Sequence, residues 1–210
     1  MVAHEYAHGY AAHRQGDDTA KALGRLSWNP LRHIDPWMTI ILPALMFYTT
    51  GMALGGAKPV PVDPRNYRNY RRGDIIVSLA GVATNLLIAA LMVPAIIALG
   101  WLGQLVPAAD DTLSLVQVMF RIGIFINLLL AVFNLMPLPP LDGSHVVKHL
   151  LPARWAWSYQ RVARFGFLIL ILLLMFGGPV LRAWMAPAVW LDRIAMDFVT
   201  PHILLTPWTT

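Results

Sequence analysis

Two histidines and a glutamate stand together near the amino terminus, in His4-Glu5-Tyr6-Ala7-His8. On a helix, residues four apart lie on one face a turn from each other. Both imidazoles can therefore reach one metal ion, and zinc takes histidine nitrogens at about 2.0–2.1 Å. Glu5 then lies beside the metal without ligating it, where a carboxylate can act as general base on an activated water. The bland alternative is a pair of interfacial histidines with a glutamate reaching out to the headgroups. Catalytic zinc usually has three protein ligands and a water, and with no cysteine in the chain the third ligand must be His, Asp or Glu. Asp142, His145, His149, His33 and His13 are the candidates. Asp142 follows Asn134-Leu135-Met136-Pro137-Leu138-Pro139-Pro140-Leu141, an isolated carboxylate just after prolines end an apolar helix; its alternative role is to cap the next helix.

The elements that must hold these residues are apolar helices. Hydrophobic residues make up 57% of the chain and charged residues only 13%, against a usual charged share of about 25%. The stretches 36–57, 75–99 and 122–141 carry no charge, and each is long enough for a hydrocarbon core of about 30 Å, which takes about 20 helical residues; 165–181 is a slightly shorter one. The expected fold is an all-α membrane protein, a polytopic helical bundle with a zinc site within the membrane, forming one domain over 1–210. Within it, 1–15 is a helix that Gly16-Asp17 ends, and 74–100, 113–136 and 165–190 are transmembrane helices. Val146 to Gln160 is amphipathic and rich in Trp, suited to the membrane interface. After Gly55-Gly56, the prolines at 59, 61 and 64 force an extended, non-helical run.

The net charge of +5 raises the question of a nucleic-acid partner. The basic residues instead fall into three groups that flank apolar segments: Arg14 to Arg32, Lys58 to Arg72, and Lys148 to Arg164. The connection Trp101 to Thr112 has no basic residue and carries Asp110 and Asp111. By the positive-inside rule the three basic groups are cytoplasmic and the acidic turn is outside. The basicity is topological, and no nucleic-acid partner is expected. The same rule bears on 37–54, which lies between two basic loops and carries Pro43 and Gly51. Either it enters and returns, a re-entrant segment packed beside the site, or it spans and one loop breaks the rule. Depth allows a single site: His8 lies about 12 Å from the inward end of its helix at 1.5 Å per residue, and the helix ending near Asn134 also runs inward.

Together the residues resemble the site-2 proteases, a family of intramembrane zinc metalloproteases. The resemblance covers roughly Ala3 to Val147. It rests on His4-Glu5-x-x-His8, Asn29-Pro30-Leu31-Arg32-His33-Ile34-Asp35-Pro36, Ala57-Lys58-Pro59-Val60-Pro61-Val62, Gly81-x-x-x-Asn85, and Asn134-x-x-Pro137 leading to Leu141-Asp142-Gly143. It implies that His4, His8 and Asp142 bind Zn2+ and that Glu5 is catalytic. Two departures stand out: only Met1, Val2 and Ala3 precede the motif, so a late start or a fragment is expected, and Val82 stands where the family often has proline.

Asn85 and Asn134 are amides inside apolar helices, where a partner is required; they either hold the extended backbone of a substrate or bond helix to helix. His33 is a further supporting candidate, approaching the metal or the oxyanion or else lying in an interfacial turn. The expected reaction is hydrolysis of a peptide bond in or near a transmembrane segment of a membrane-protein substrate, with the 58–64 run as a candidate surface for pairing with the unwound strand. The expected partners are that substrate and the lipid bilayer, in a multi-pass protein of a cell membrane, specifically the bacterial inner membrane. The alternatives are an inactive homologue acting as a membrane adaptor for client helices, and an ion or metal transporter. The sequence names neither the substrate nor an oligomeric state.

Overall fold

A computed structural model describes residues 1–50 and 56–205 of the chain. Among the described residues the regular structure is helical, with no strand. Where one domain was expected, the chain groups into two compact units: Met1–Thr84 with His145–Tyr159, and Asn85–Ser144 with Gln160–Thr210.

In the first unit, α1 (Val2–Gln15) ends at Gly16, whose φ of 111° is left-handed backbone that glycine adopts without a Cβ clash; its N–H closes the helix on the Ala12 and His13 carbonyls. The chain turns at Asp17, which is fully buried. Its carboxylate accepts bonds from the Thr19 N–H and hydroxyl, from the Asp63 N–H at 2.6 Å and from the Asn66 amide at 2.9 Å. Burial pushes the Asp17 pKa up, but these bonds together outweigh it and the net shift is downward. A short α2 (Thr19–Ala22) and a 3-10 turn at Pro30–His33 follow, the turn capped by the Asn29 side chain.

A wide turn at Pro36–Ile41 leads into α3 (Leu42–Thr50). Of the stretch expected at 37–54, residues 51–54 lie outside the described residues. The chain leaves at His33 and returns at Lys58, and there the two ends are bonded: the Lys58 N–H donates to the His33 carbonyl at 2.8 Å, and the Thr39 hydroxyl to the Gly56 carbonyl at 2.8 Å. Trp37, Ile40, Leu45, Phe47 and Tyr48 on this excursion are exposed. Residues 56–63 of the proline-rich run that follows are non-helical, whereas Pro64 opens a short 3-10 turn, Pro64–Asn66, capped by the Asp63 side chain.

The helix α4 (Tyr70–Leu105) begins where the Asn69 side chain accepts the Arg72 N–H, and runs for 36 residues, beyond the expected 74–100 at both ends. Gly73 packs against Tyr67, and Ala12, Tyr67 and Val77 form a small core that joins α1 to the start of α4. In the second unit, α5 (Asp110–Asn134) starts earlier than the expected 113 because Asp110 and Asp111 suit the positive end of the helix dipole. It stops two residues early because the backbone ahead of Pro137 disfavours helix.

α6 (Asp142–Leu150), α7 (Ala153–Ala163), α8 (Gly166–Phe176) and α9 (Gly178–Val199) follow, with a 3-10 turn at Thr200–His202 after them. The single helix expected over 165–190 is two, divided at Gly177-Gly178-Pro179, where glycine costs helix stability and proline suits a new first turn. α5 packs on α9 around Ile124, Leu128, Val132, Ala188 and Val199, and the Trp184 indole N–H donates to the Val132 carbonyl at 2.9 Å. The buried Gln117 amide donates to the Ile96 and His202 carbonyls and accepts the Leu204 N–H, so all its partners are protein.

Among the described residues two stretches are long and apolar enough to cross a membrane, α4 and Pro107–Asn134, and a third if α7 and α8 count as one broken span. The protein is an all-α membrane protein.

Candidate metal centre

The i, i+4 spacing on α1 brings His4 and His8 together as expected. Their Nε2 atoms lie 3.0 Å apart, close to the separation of about 3.3 Å that two nitrogens take on one tetrahedral zinc. The rings meet edge to face with centroids 4.6 Å apart. His8 Nδ1 lies 2.7 Å from the Val77 carbonyl, which can only accept, so Nδ1 carries the proton and Nε2 presents its lone pair. That tautomer is the one a metal ligand needs.

Gly81 makes the space. A Cβ built there would fall 2.5 Å from His4 Cε1 and from His8 Nε2, and 2.6 Å from His4 Nε2. The volume facing both nitrogens exists because this position has no side chain. Val77 and Gly81 are four residues apart on α4, so one helical face supplies both the carbonyl that orients His8 and the gap it faces. These features fit zinc: nitrogen donors of the right type and separation, one fixed in the coordinating tautomer, over a cradle that a methyl group would fill.

Glu5 follows His4 in the first turn of α1. Its Oε2 accepts the Val60 N–H at 2.9 Å, which binds the catalytic candidate to the proline-rich run. Pro59 and Pro61 have no N–H, so in that triplet Val60 holds the only donor, and it goes to Glu5. The Lys58 and Asp63 N–H groups are taken by His33 and Asp17, and the Lys58 and Pro59 carbonyls accept from the Arg25 guanidinium. Much of the run's hydrogen-bonding capacity is thus used inside the protein, which limits it as a pairing surface for a substrate strand.

His33 is buried; its Nε2–H donates to the Ser27 carbonyl at 2.8 Å and its own carbonyl accepts the Lys58 N–H. Its ring secures the loop that returns to the run. In the second unit, Asp142 is the first residue of α6, followed by a buried Gly143 packed against the Leu135 carbonyl, where no Cβ would fit. Asn85 is buried one turn beyond Gly81 on α4. The Asn134 amide donates to the Leu130 carbonyl of its own helix at 2.9 Å. His145 and His149 are drawn to Asp74, and His13 pairs with Asp18.

Peptidase family M50 matches residues 101–177. YwhC of Bacillus subtilis, named as a zinc metalloprotease, is 38% identical over 170 residues, which make up 81% of this chain and 74% of that protein. Two proteins called Rip2 and named in the same way are similar over 88% of this chain and 66% of their own length. The one from Mycolicibacterium smegmatis is 30% identical and the one from Mycobacterium tuberculosis H37Rv 32%. No solved structure matches. The chain belongs to peptidase family M50, the site-2 protease family, and is one of its zinc metalloproteases.

Three features of the centre went unread in the sequence, Gly81 as a cradle, the Val77 carbonyl and the Val60 N–H, and so did the partners of Asp74 outside it. Backbone groups carry no signal in residue type, whereas Asp74, a lone carboxylate opening a long apolar run, was a visible one.

Proposed function

We propose that this protein cleaves a peptide bond in or beside a transmembrane segment of a membrane-protein substrate, using one zinc ion held by His4, His8 and Asp142 with Glu5 as general base. The observation that carries the reading is the histidine pair itself, with Nε2 atoms 3.0 Å apart over Gly81 and His8 fixed by the Val77 carbonyl. Asp142 supplies the third, anionic ligand of a site built without cysteine. Bound zinc supplies Lewis acidity, lowering the pKa of water toward about 7 and polarising the scissile carbonyl.

Glu5 takes the proton from the attacking water and returns it to the leaving amine. The Val60 N–H holds Oε2 and thereby sets the direction of Oε1 for that transfer. Asn85, Asn134 and His33 support the centre and the substrate's unwound backbone. The apolar helices support a bilayer setting, and the bacterial relatives support a multi-pass protein of a bacterial inner membrane.

Glu5→Gln tests the reading, because Gln nearly matches Glu in shape and cannot accept the proton. Purified Glu5→Gln is expected to keep stoichiometric zinc and to lose about 10² to 10⁴ in cleavage rate on a single-span membrane substrate. Equal cleavage by the variant and the parent would exclude Glu5 as base. A parent chain that holds zinc and binds client helices without cutting them would leave the adaptor role instead.

A further inference from the structure

Asp74 lies outside the centre described above and takes no part in the proposed reaction, yet it is the most heavily bonded carboxylate at the start of α4. Its side chain is 4% exposed. Oδ2 accepts from the Lys148 ammonium at 2.7 Å and from His149 Nε2 at 2.7 Å, and Oδ1 lies 3.2 Å from His145 Nδ1. Tyr70 and Arg71 on α4 close the cluster: the Lys148 ammonium also reaches the Tyr70 hydroxyl, and the Arg71 guanidinium donates to the His149 carbonyl at 2.7 Å. With an ammonium already against Oδ2, the cluster is an ion-pair network rather than a metal site.

Its geometry bears on α6. His145 and His149 are three and seven residues after Asp142, so all three side chains project from one face of that helix. A bond from each histidine to Asp74 fixes the rotation of α6 about its axis, and with it the direction of the Asp142 carboxylate; a slip of one residue would swing that carboxylate by about 100°. On α4, Asp74, Val77 and Gly81 likewise share a face, the last two being the residues that seat His4 and His8. Seven residues separate Asp74 from Gly81 and seven separate Asp142 from His149, about 10 Å along each helix. One carboxylate is therefore placed an equal lever arm from the histidine seat and from the proposed third ligand.

We infer that Asp74 is a positioning residue for the metal centre, holding α6 in the rotation that aims Asp142 at the ion; this rests on the three-ligand reading proposed above. The role is to set metal affinity through Asp142, and outer partners of metal ligands typically change affinity by about 10- to 100-fold when removed.

The test is a double-mutant cycle read as zinc affinity, by chelator competition on the full chain in detergent, for the parent, Asp74→Asn, Asp142→Ala and the double variant. Asp74→Asn should weaken zinc by about 10-fold in the parent and by nothing further in the Asp142→Ala background. An equal loss in both backgrounds would mean that Asp74 supports the fold at large, and no loss in the parent would mean it supports nothing at the centre; either result overturns the inference. If Asp142→Ala by itself leaves affinity unchanged, the third-ligand assignment fails and the inference goes with it, which is a distinct outcome. Should Asp74→Asn not purify folded, His149→Leu removes one of the three donors and carries the same cycle, with the same pattern expected at smaller amplitude.

Discussion

The space between the rings of His4 and His8 depends on position 81, where a Cβ would fall 2.5 Å from His4 Cε1 and from His8 Nε2. Gly81 lies inside α4 in ordinary helical backbone, where alanine is favoured over glycine by up to about 1 kcal/mol. In Gly81→Ala the methyl group occupies the space against His4 Cε1 and His8 Nε2, so the rings must shift, an overpacking cost of about 1–3 kcal/mol that the gain in helix propensity partly offsets. The expected result is a folded protein with a modestly lowered unfolding midpoint and zinc content below a tenth of the parent's after dialysis. Full zinc content would show that the cradle is not where the ion binds. At this scale the sequence was legible only where meaning lies in residue type. His4, Glu5 and His8 could be read from their spacing because a helix fixes which side chains share a face. Gly81 could not, since a glycine's significance depends on what packs opposite it, and here that is a pair of rings more than seventy positions away in the chain. The Val77 carbonyl and the Val60 N–H were hidden for a simpler reason: almost every residue has one.

Among the elements, the junction of α1 with the proline-rich run depends on Asp17. Four donors converge on its buried carboxylate, and Asn in its place would turn an amide group toward some of them. Asp17→Asn should cost about 1–3 kcal/mol at neutral pH, the range for losing bonds to a buried charged acceptor. The sign with pH follows from the lowered pKa. Asp17's contribution is complete above the ordinary value of 3.8 and is lost as pH falls through its lower folded value, when the carboxylate protonates. The gap in unfolding midpoint between parent and variant should hold from pH 7 down to about 4 and close below that. A gap that persisted at pH 2 would show that charge at Asp17 is not what stabilises the junction. The long helices were readable because the uncharged stretches 75–99 and 122–141 are marked off by Asp74, the acidic pair and Pro137. The division of 165–190 also had its signal, in Gly177-Gly178-Pro179, but high hydropathy across the break outweighed it. The bonds that close 33–58 into an excursion join residues far apart in sequence, and no periodicity records them.

For the whole molecule, the question is which ends of the apolar segments share a side of the bilayer. α4 is 36 residues, about 54 Å, well beyond a hydrocarbon core of about 30 Å, so its two ends reach opposite headgroup regions even with substantial tilt. Five basic residues stand at its start, from Lys58 to Arg72, and the acidic turn with Asp110 and Asp111 follows its end, so the expected orientation has Tyr70 inward. The excursion between the first two basic loops behaves differently. A chain that leaves at His33 and returns at Lys58 with those residues hydrogen-bonded begins and ends at one depth, which a single crossing cannot do. Its exposed Trp37, Ile40, Phe47 and Tyr48 suit lipid rather than water. The expectation is re-entry, with both basic loops in the cytoplasm. The chain has no cysteine, so Lys21→Cys, Arg68→Cys and Asp111→Cys each introduce a single reporter. With an impermeant thiol reagent on sealed inverted vesicles, the first two should label and the third should not, with the reverse pattern on intact spheroplasts. Labelling of Lys21→Cys and Arg68→Cys from opposite sides would establish that 37–54 spans the membrane, and labelling of Arg68→Cys and Asp111→Cys from one side would remove α4 as a crossing helix.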